Sequence, residues 1–165
     1  MPDELSRTET FRTNLRKIGK TGQPFDVCVL ARQLPVALEL ACACDDQPLV
    51  LNHCGVPDIA GGNFDGWADN MRTLAGQPNI TVKLSGLTAY CNSGEGTAET
   101  LKPWVDFVIE TFGPSRMVWG GDWPVVNLGS GLVDWIGTTR TLLKDLSKDE
   151  QNMISEGTAR SVYKV

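Results

Sequence analysis

The chain holds one histidine, His53, so any imidazole chemistry runs through it. It follows an apolar run ending at Leu51 and precedes Cys54 and Gly55. An imidazole so placed can bind a metal or carry protons near neutral pH. The structural alternative is a histidine bonded to a nearby backbone carbonyl. Asp122 is the second candidate. Gly120 and Gly121 before it permit a tight turn, and Trp123 and Pro124 behind it stiffen the loop. Such a carboxylate can ligate a metal or take a proton from attacking water, unless it only closes an Asx turn or caps a helix. Lys83 lies inside an apolar run and can neutralise a substrate carboxylate or extend its ammonium to the surface. Arg32 and Gln33 can hydrogen-bond a substrate oxygen. For these three the plain structural role is the simpler reading. Tyr90 and Trp123 complete the candidate substrate-binding set.

Strands and helices must position these groups. Leu5 to Lys20 reads as a helix with Phe11, Leu15 and Ile18 on one face and a Ser6–Glu9 capping box. Phe25 to Leu30 is a first strand, Leu34 to Cys44 a helix with Pro35 in its first turn, and Pro48 to Asn52 a second strand. Trp67, Met71 and Leu74 mark a helix face, and Ile80 to Leu84 is a third strand. Leu101, Trp104, Val105, Val108 and Phe112 form a helical stripe. Met117 to Trp119 is a fourth strand, about Leu132 to Leu142 a helix, and Ser147 with Glu150 a capping box for a last short helix. Alternating strand and helix implies parallel strands with helical crossovers. The strand cores are largely apolar on both faces, as a buried parallel sheet requires. Functional groups in such sheets gather beyond the carboxyl ends of the strands. Those exits are Ala31 to Gln33, His53 to Gly55, Lys83 to Gly86 and Gly120 to Trp123, converging on one rim.

Composition narrows the class. The 165 residues suit one domain, and 41% apolar with 21% charged residues is globular. Fifteen Lys and Arg against twenty Asp and Glu give a net charge of −5, which excludes nucleic acid and anionic membranes as expected partners. No apolar run approaches a spanning helix, and the first twenty residues carry no secretory signal pattern. Five cysteines, an odd count without framework spacing, fit a reducing cytoplasm. Gly19-Lys20-Thr21 imitates the end of a phosphate loop, but Asn14 stands where its first glycine belongs and no strand precedes it. Cys42 and Cys44, two apart on a helix, do not face each other.

Five stretches carry a family resemblance: FDVCVLARQLP (Phe25 to Pro35), LVLNHCGVP (Leu49 to Pro57), NITVKLSGL (Asn79 to Leu87), FGPSRMVWGGDWPV (Phe112 to Val125) and GTARSVYKV (Gly157 to Val165). Together, in this order and spacing, they resemble the amidohydrolase superfamily, in its branch of L-fuconolactonase-like and related lactonases. The resemblance implies a (β/α)8 barrel of which residues 1–165 form one partial domain, the C-terminal half with the last four βα units. His53 matches the histidine of a DH-x-G-x-P stretch, with Asn52 in place of the usual Asp. Asp122 matches the aspartate of G-S-D-W-P, with Gly121 in place of Ser. The family implies that this aspartate helps activate water and that this histidine binds metal or substrate. It also implies one divalent, zinc-like metal, for which His53 and Asp122 are an incomplete ligand set.

The His-x-His pair of the family's first strand is absent. A full barrel takes about 250 residues. A half barrel has two open sheet edges and one uncovered face, so the expected partners are a second copy or a missing N-terminal half, besides a small lactone or sugar-acid substrate. Three readings follow: a cytoplasmic hydrolase opening a lactone or similar cyclic ester, a non-catalytic half-barrel, or a decarboxylase of the same superfamily.

Overall fold

The computed structural model describes residues 4–165. Four parallel strands, β1 (Phe25–Val27), β2 (Leu49–Leu51), β3 (Ile80–Leu84) and β4 (Met117–Trp119), lie in the order β1-β2-β3-β4. Helices α1 (Glu9–Gly19), α2 (Leu34–Ala43), α3 (Phe64–Ala75), α4 (Ala98–Phe112) and α5 (Leu132–Leu142) alternate with them. This is an α/β fold of four βα units, half of an eight-stranded barrel. Two short helices, α6 (Lys148–Asn152) and α7 (Thr158–Tyr163), flank a π-helical turn at Met153–Gly157. Among the described residues no helix is long and apolar enough to cross a membrane.

Hydrophobic periodicity set the helices. Trp67, Met71 and Leu74 are buried on α3, and the whole α4 stripe from Leu101 to Phe112 is buried with them. Each fully buried large side chain contributes about 1.5–3 kcal/mol, enough to fix which face turns inward. Ser147 and Glu150 form the expected reciprocal cap on α6. The first helix differs from its expected form. Leu5–Arg7 is a separate 3-10 turn, and extended Thr8 interrupts the run, so Thr8 rather than Ser6 accepts the Phe11 N–H and starts α1. β1 and β2 are shorter than their apolar runs, because the chain leaves β1 after Val27 and turns sharply after Leu51.

The expectation of two apolar faces is also corrected. Phe25, Val27, Leu49, Leu51, Ile80, Val82, Leu84 and Met117 face the helical layer and belong to or pack on the main core. Register places Asp26 beside Val50 and Thr81, and Lys83 beside Val118, on the opposite, inner face. That face is mixed because β1 and β3 alternate, and a strand's side chains point to opposite faces in turn. Nor is it wholly uncovered. Val50 and Val118 are 0% and 3% exposed, and α7 packs beside β4 and sends Tyr163 to Asp26 on β1. β1 and β4 each pair with one neighbour, leaving two sheet edges.

Candidate functional site

Beyond β2 the backbone enters a run of left-handed residues. His53, Cys54 and Val56 have φ of 55°, 50° and 49°, and Gly55 lies between them at 70°. Such a conformation costs an ordinary residue about 1–2 kcal/mol, and such strain clusters at functional sites. The turn is held from outside. Trp67 Nε1 donates to the Cys54 carbonyl at 2.8 Å, and Val56 N donates to the His53 carbonyl at 2.9 Å. Asp122, beyond β4, is also left-handed at φ 53°, and its carbonyl accepts from Val126 N at 2.9 Å. Trp135 Nε1 donates to the Gly120 carbonyl at 2.9 Å and steadies that exit.

These two turns bring His53 and Asp122 together. Nε2 lies 3.8 Å from Asp122 Oδ1, and Nδ1 lies 2.8 Å from Ser85 Oγ. Ser85 is buried and locks the ring. Gly86 makes the approach possible, since a Cβ there would stand 2.7 Å from His53 Nδ1 and 2.9 Å from Asp122 Oδ2. The gap of 3.8 Å is too long for a direct hydrogen bond. Asp122 Oδ2 and Asn52 Oδ1 are buried with no hydrogen-bond partner among the described residues.

The pair opens into a cavity of about 440 Å³, also lined by Asn52, Ser85, Lys83 and Tyr163. Lys83 is ion-paired with Asp26, and Tyr163 OH donates to the other Asp26 oxygen at 2.8 Å. Burial alone would lower the Lys83 ammonium, but the bonds to Asp26 and Tyr163 carry its pKa above the ordinary value. The Tyr90 ring lies 6.3 Å from the His53 ring, centre to centre. Burial, with Cys28, Asp122 and Cys54 nearby, pushes the Tyr90 phenol up to about 12, so it remains a donor at neutral pH.

Of the residues singled out in the sequence, the structure thus gathers His53, Asp122 and Lys83 in one cavity, while Tyr90 lines a second depression with its ring 6.3 Å from that of His53. Arg32 lies in an adjoining depression of about 380 Å³ with Tyr90, Val56 and Asp58. Trp123 projects into solvent at 72% exposure. Sequence reasoning missed the roles of Ser85, Asn52, Asp26 and Tyr163. A carboxylate inside the apolar run FDVCVL was a readable signal for Asp26, whereas nothing local marked Tyr163. Cys42 is exposed and Cys44 buried, so they face apart as expected.

The donor set does not complete a metal site. A catalytic zinc takes three protein ligands plus water. His53 and Asp122 supply one nitrogen and one carboxylate, and no group of three His, Cys, Asp or Glu converges among the described residues. The orphaned Asp122 Oδ2 lies against Gly86 rather than beside a further donor.

Comparison with known proteins identifies relatives of the chain and of its fold. The family model described as Amidohydrolase matches residues 1–165. An L-fucono-1,5-lactonase of Burkholderia ambifaria is 36% identical over 111 residues, 67% of this chain and 38% of that protein. An L-fucono-1,5-lactonase of Burkholderia multivorans is 30% identical over 149 residues, 84% of this chain and 50% of that protein. A crystal structure of an amidohydrolase from Burkholderia multivorans with bound zinc superposes at a TM-score of 0.92 with 27% identity, covering 99% of this chain and 60% of that one. The chain therefore spans about half the length of the curated relatives it matches.

Proposed function

The chain belongs to the amidohydrolase family, and from that premise we propose that its His53–Asp122 site opens a lactone or similar cyclic ester with water. The observation that carries the reading is the approach of Nε2 to within 3.8 Å of the Asp122 carboxylate, with the ring anchored by Ser85. Ser85 OH donates to Nδ1, which leaves Nε2–H directed at the cavity. Asp122 takes a proton as a water beside its carboxylate attacks the carbonyl carbon. His53 Nε2–H donates to the oxyanion that develops. The ring oxygen then leaves, and the Asp122 carboxyl returns the proton to it. The lactonase relatives support this reaction class. Asp122→Asn is expected to lose 10²–10⁴-fold in kcat, about the contribution of a positioned general base, with the fold intact by circular dichroism. Near-normal turnover in that variant sinks the assignment.

A second reading has its own support. With two metal-type donors and two unpaired sheet edges, the chain also suits a non-catalytic half-barrel that assembles with a second copy or an N-terminal half. Native mass spectrometry separates the two. A catalytically silent heteromer or homodimer supports assembly, and lactone turnover by the isolated chain supports hydrolysis.

A further inference from the structure

Four consecutive residues at the β2 exit are left-handed, and three of them carry side chains. His53 and Cys54 stand at φ 55° and 50°, Gly55 at 70° and Val56 at 49°. Val56 is β-branched, the type that avoids this region most strongly. Such a run persists only where its surroundings over-determine it. Two residues of α3, one helical turn apart, do so. Met71, with Leu34 of α2, packs against Gly55, where an added Cβ would stand 3.3 Å from Met71 Sδ and 2.6 Å from Leu34 Cδ2. Trp67 Nε1 donates to the Cys54 carbonyl at 2.8 Å, and no other donor reaches that carbonyl among the described residues. Cys54 is 1% and Trp67 2% exposed, so water does not replace the indole. Without that N–H the turn must either bury a carbonyl unpaired or abandon the left-handed run. The second course moves His53, the next residue back along the chain. Trp67 is itself wedged in an aromatic cluster, with the rings of Phe64, Trp104 and Phe107 at 5.5, 5.0 and 5.2 Å from its own.

We propose that Trp67 is a positioning residue: through the Cys54 carbonyl, its indole N–H holds the left-handed turn that aims His53 at Ser85 and Asp122. The proposal rests on the lactone reading only where turnover is measured. The placement of the ring is read separately, because His53 is the chain's single histidine and its ring signals need no sorting from others. Trp67→Phe keeps an aromatic ring in the cluster and removes the donor. Trp104→Phe is the control. Trp104 shares the cluster and is 6% exposed, but among the described residues its indole makes no hydrogen bond to the turn. Both variants of the intact chain are compared with the unaltered chain by thermal unfolding, by nitrogen-edited NMR of the His53 ring at about pH 8, above the ordinary histidine range, and by lactone kinetics.

Both variants are expected to lose thermal stability. Only Trp67→Phe moves the His53 ring signals, from those of the Nε2–H tautomer toward a mixture of the two tautomers, because the ring leaves Ser85 Oγ. Its kcat falls about 10²-fold, the cost of displacing a catalytic group by about 1 Å, while KM stays within about twofold. Trp104→Phe leaves the His53 signals and kcat in place. If Trp67→Phe does not fold, Trp67→benzothienylalanine, with the indole's shape and sulfur in place of the N–H, carries the same expectations. Unmoved His53 signals in the Trp67 variant, or equal movement in both variants, overturn the proposal. Moved signals in a chain without lactone turnover uphold it while the hydrolase reading fails. Lactone turnover by the unaltered chain with unmoved signals in the Trp67 variant does the reverse.

Discussion

Gly86→Ala tests whether the approach of His53 to Asp122 is what the fold protects. Gly86 sits at φ 71°, where an L-residue is strained by about 1–2 kcal/mol. The added Cβ also meets His53 Nδ1 at 2.7 Å and Asp122 Oδ2 at 2.9 Å, so one side chain must move. Forcing such a shift in packed surroundings costs about 1–3 kcal/mol more. Gly94 supplies the control. It has φ 80°, but an added Cβ there meets nothing within 4 Å. Gly94→Ala therefore carries the backbone strain alone. At about 2–4 °C per kcal/mol for a chain of this size, Gly94→Ala lowers Tm by about 2–8 °C and Gly86→Ala by about 4–20 °C. Displacing a catalytic pair by about 1 Å costs about 10²-fold in rate, so Gly86→Ala also loses about 10²-fold in lactone kcat/KM while Gly94→Ala keeps it. Thermal unfolding and lactone hydrolysis measured on both variants decide the matter. Equal Tm loss in the two, with equal activity, refutes the reasoning.

Other outcomes follow from the same structure. Tyr163→Phe removes the donor to Asp26 and lowers unfolding free energy by about 0.5–1.5 kcal/mol in urea titration; an unchanged midpoint removes Tyr163 from the inner-face network. Both tyrosines of the chain, Tyr90 and Tyr163, have pKa values raised chiefly by burial, Tyr90 to about 12. The Tyr90 contribution to stability is whole below the unfolded value near pH 10 and is lost as pH rises from there toward 12, so ultraviolet titration of folded protein shows Tyr90 ionising well above pH 10 and Tyr163 above its ordinary value. A thiol reagent labels the exposed Cys28 and Cys42 quickly and leaves buried Cys44 and Cys54 silent until unfolding; fast labelling of Cys54 contradicts the β2 exit as described.

The rim was legible because it depends on local pattern. Apolar runs of strand length ended in Asn52-His53-Cys54-Gly55 and Gly120-Gly121-Asp122, and parallel crossovers put both ends on one side of the sheet. β3 and β4 match their apolar runs, and α5 matches its expected span. The start of α1 was misread because Ser6 and Thr8 are both good caps, and only the extended backbone of Thr8 chooses between them. The strand lengths of β1 and β2 were misread because apolar character continues where pairing stops.

By itself, the sequence determined the parallel α/β architecture, the rim and its two candidate reactive residues, because periodicity and turn residues act within a few positions along the chain. Tertiary structure alone decided what the rim can do. The 3.8 Å gap between His53 and Asp122, the Ser85 lock, the unsatisfied Asn52 acceptor and the capture of Lys83 by Asp26 and Tyr163 join residues far apart in sequence. Such distances follow from how the helices and strands pack, and side-chain charge and hydrogen bonding depend steeply on them.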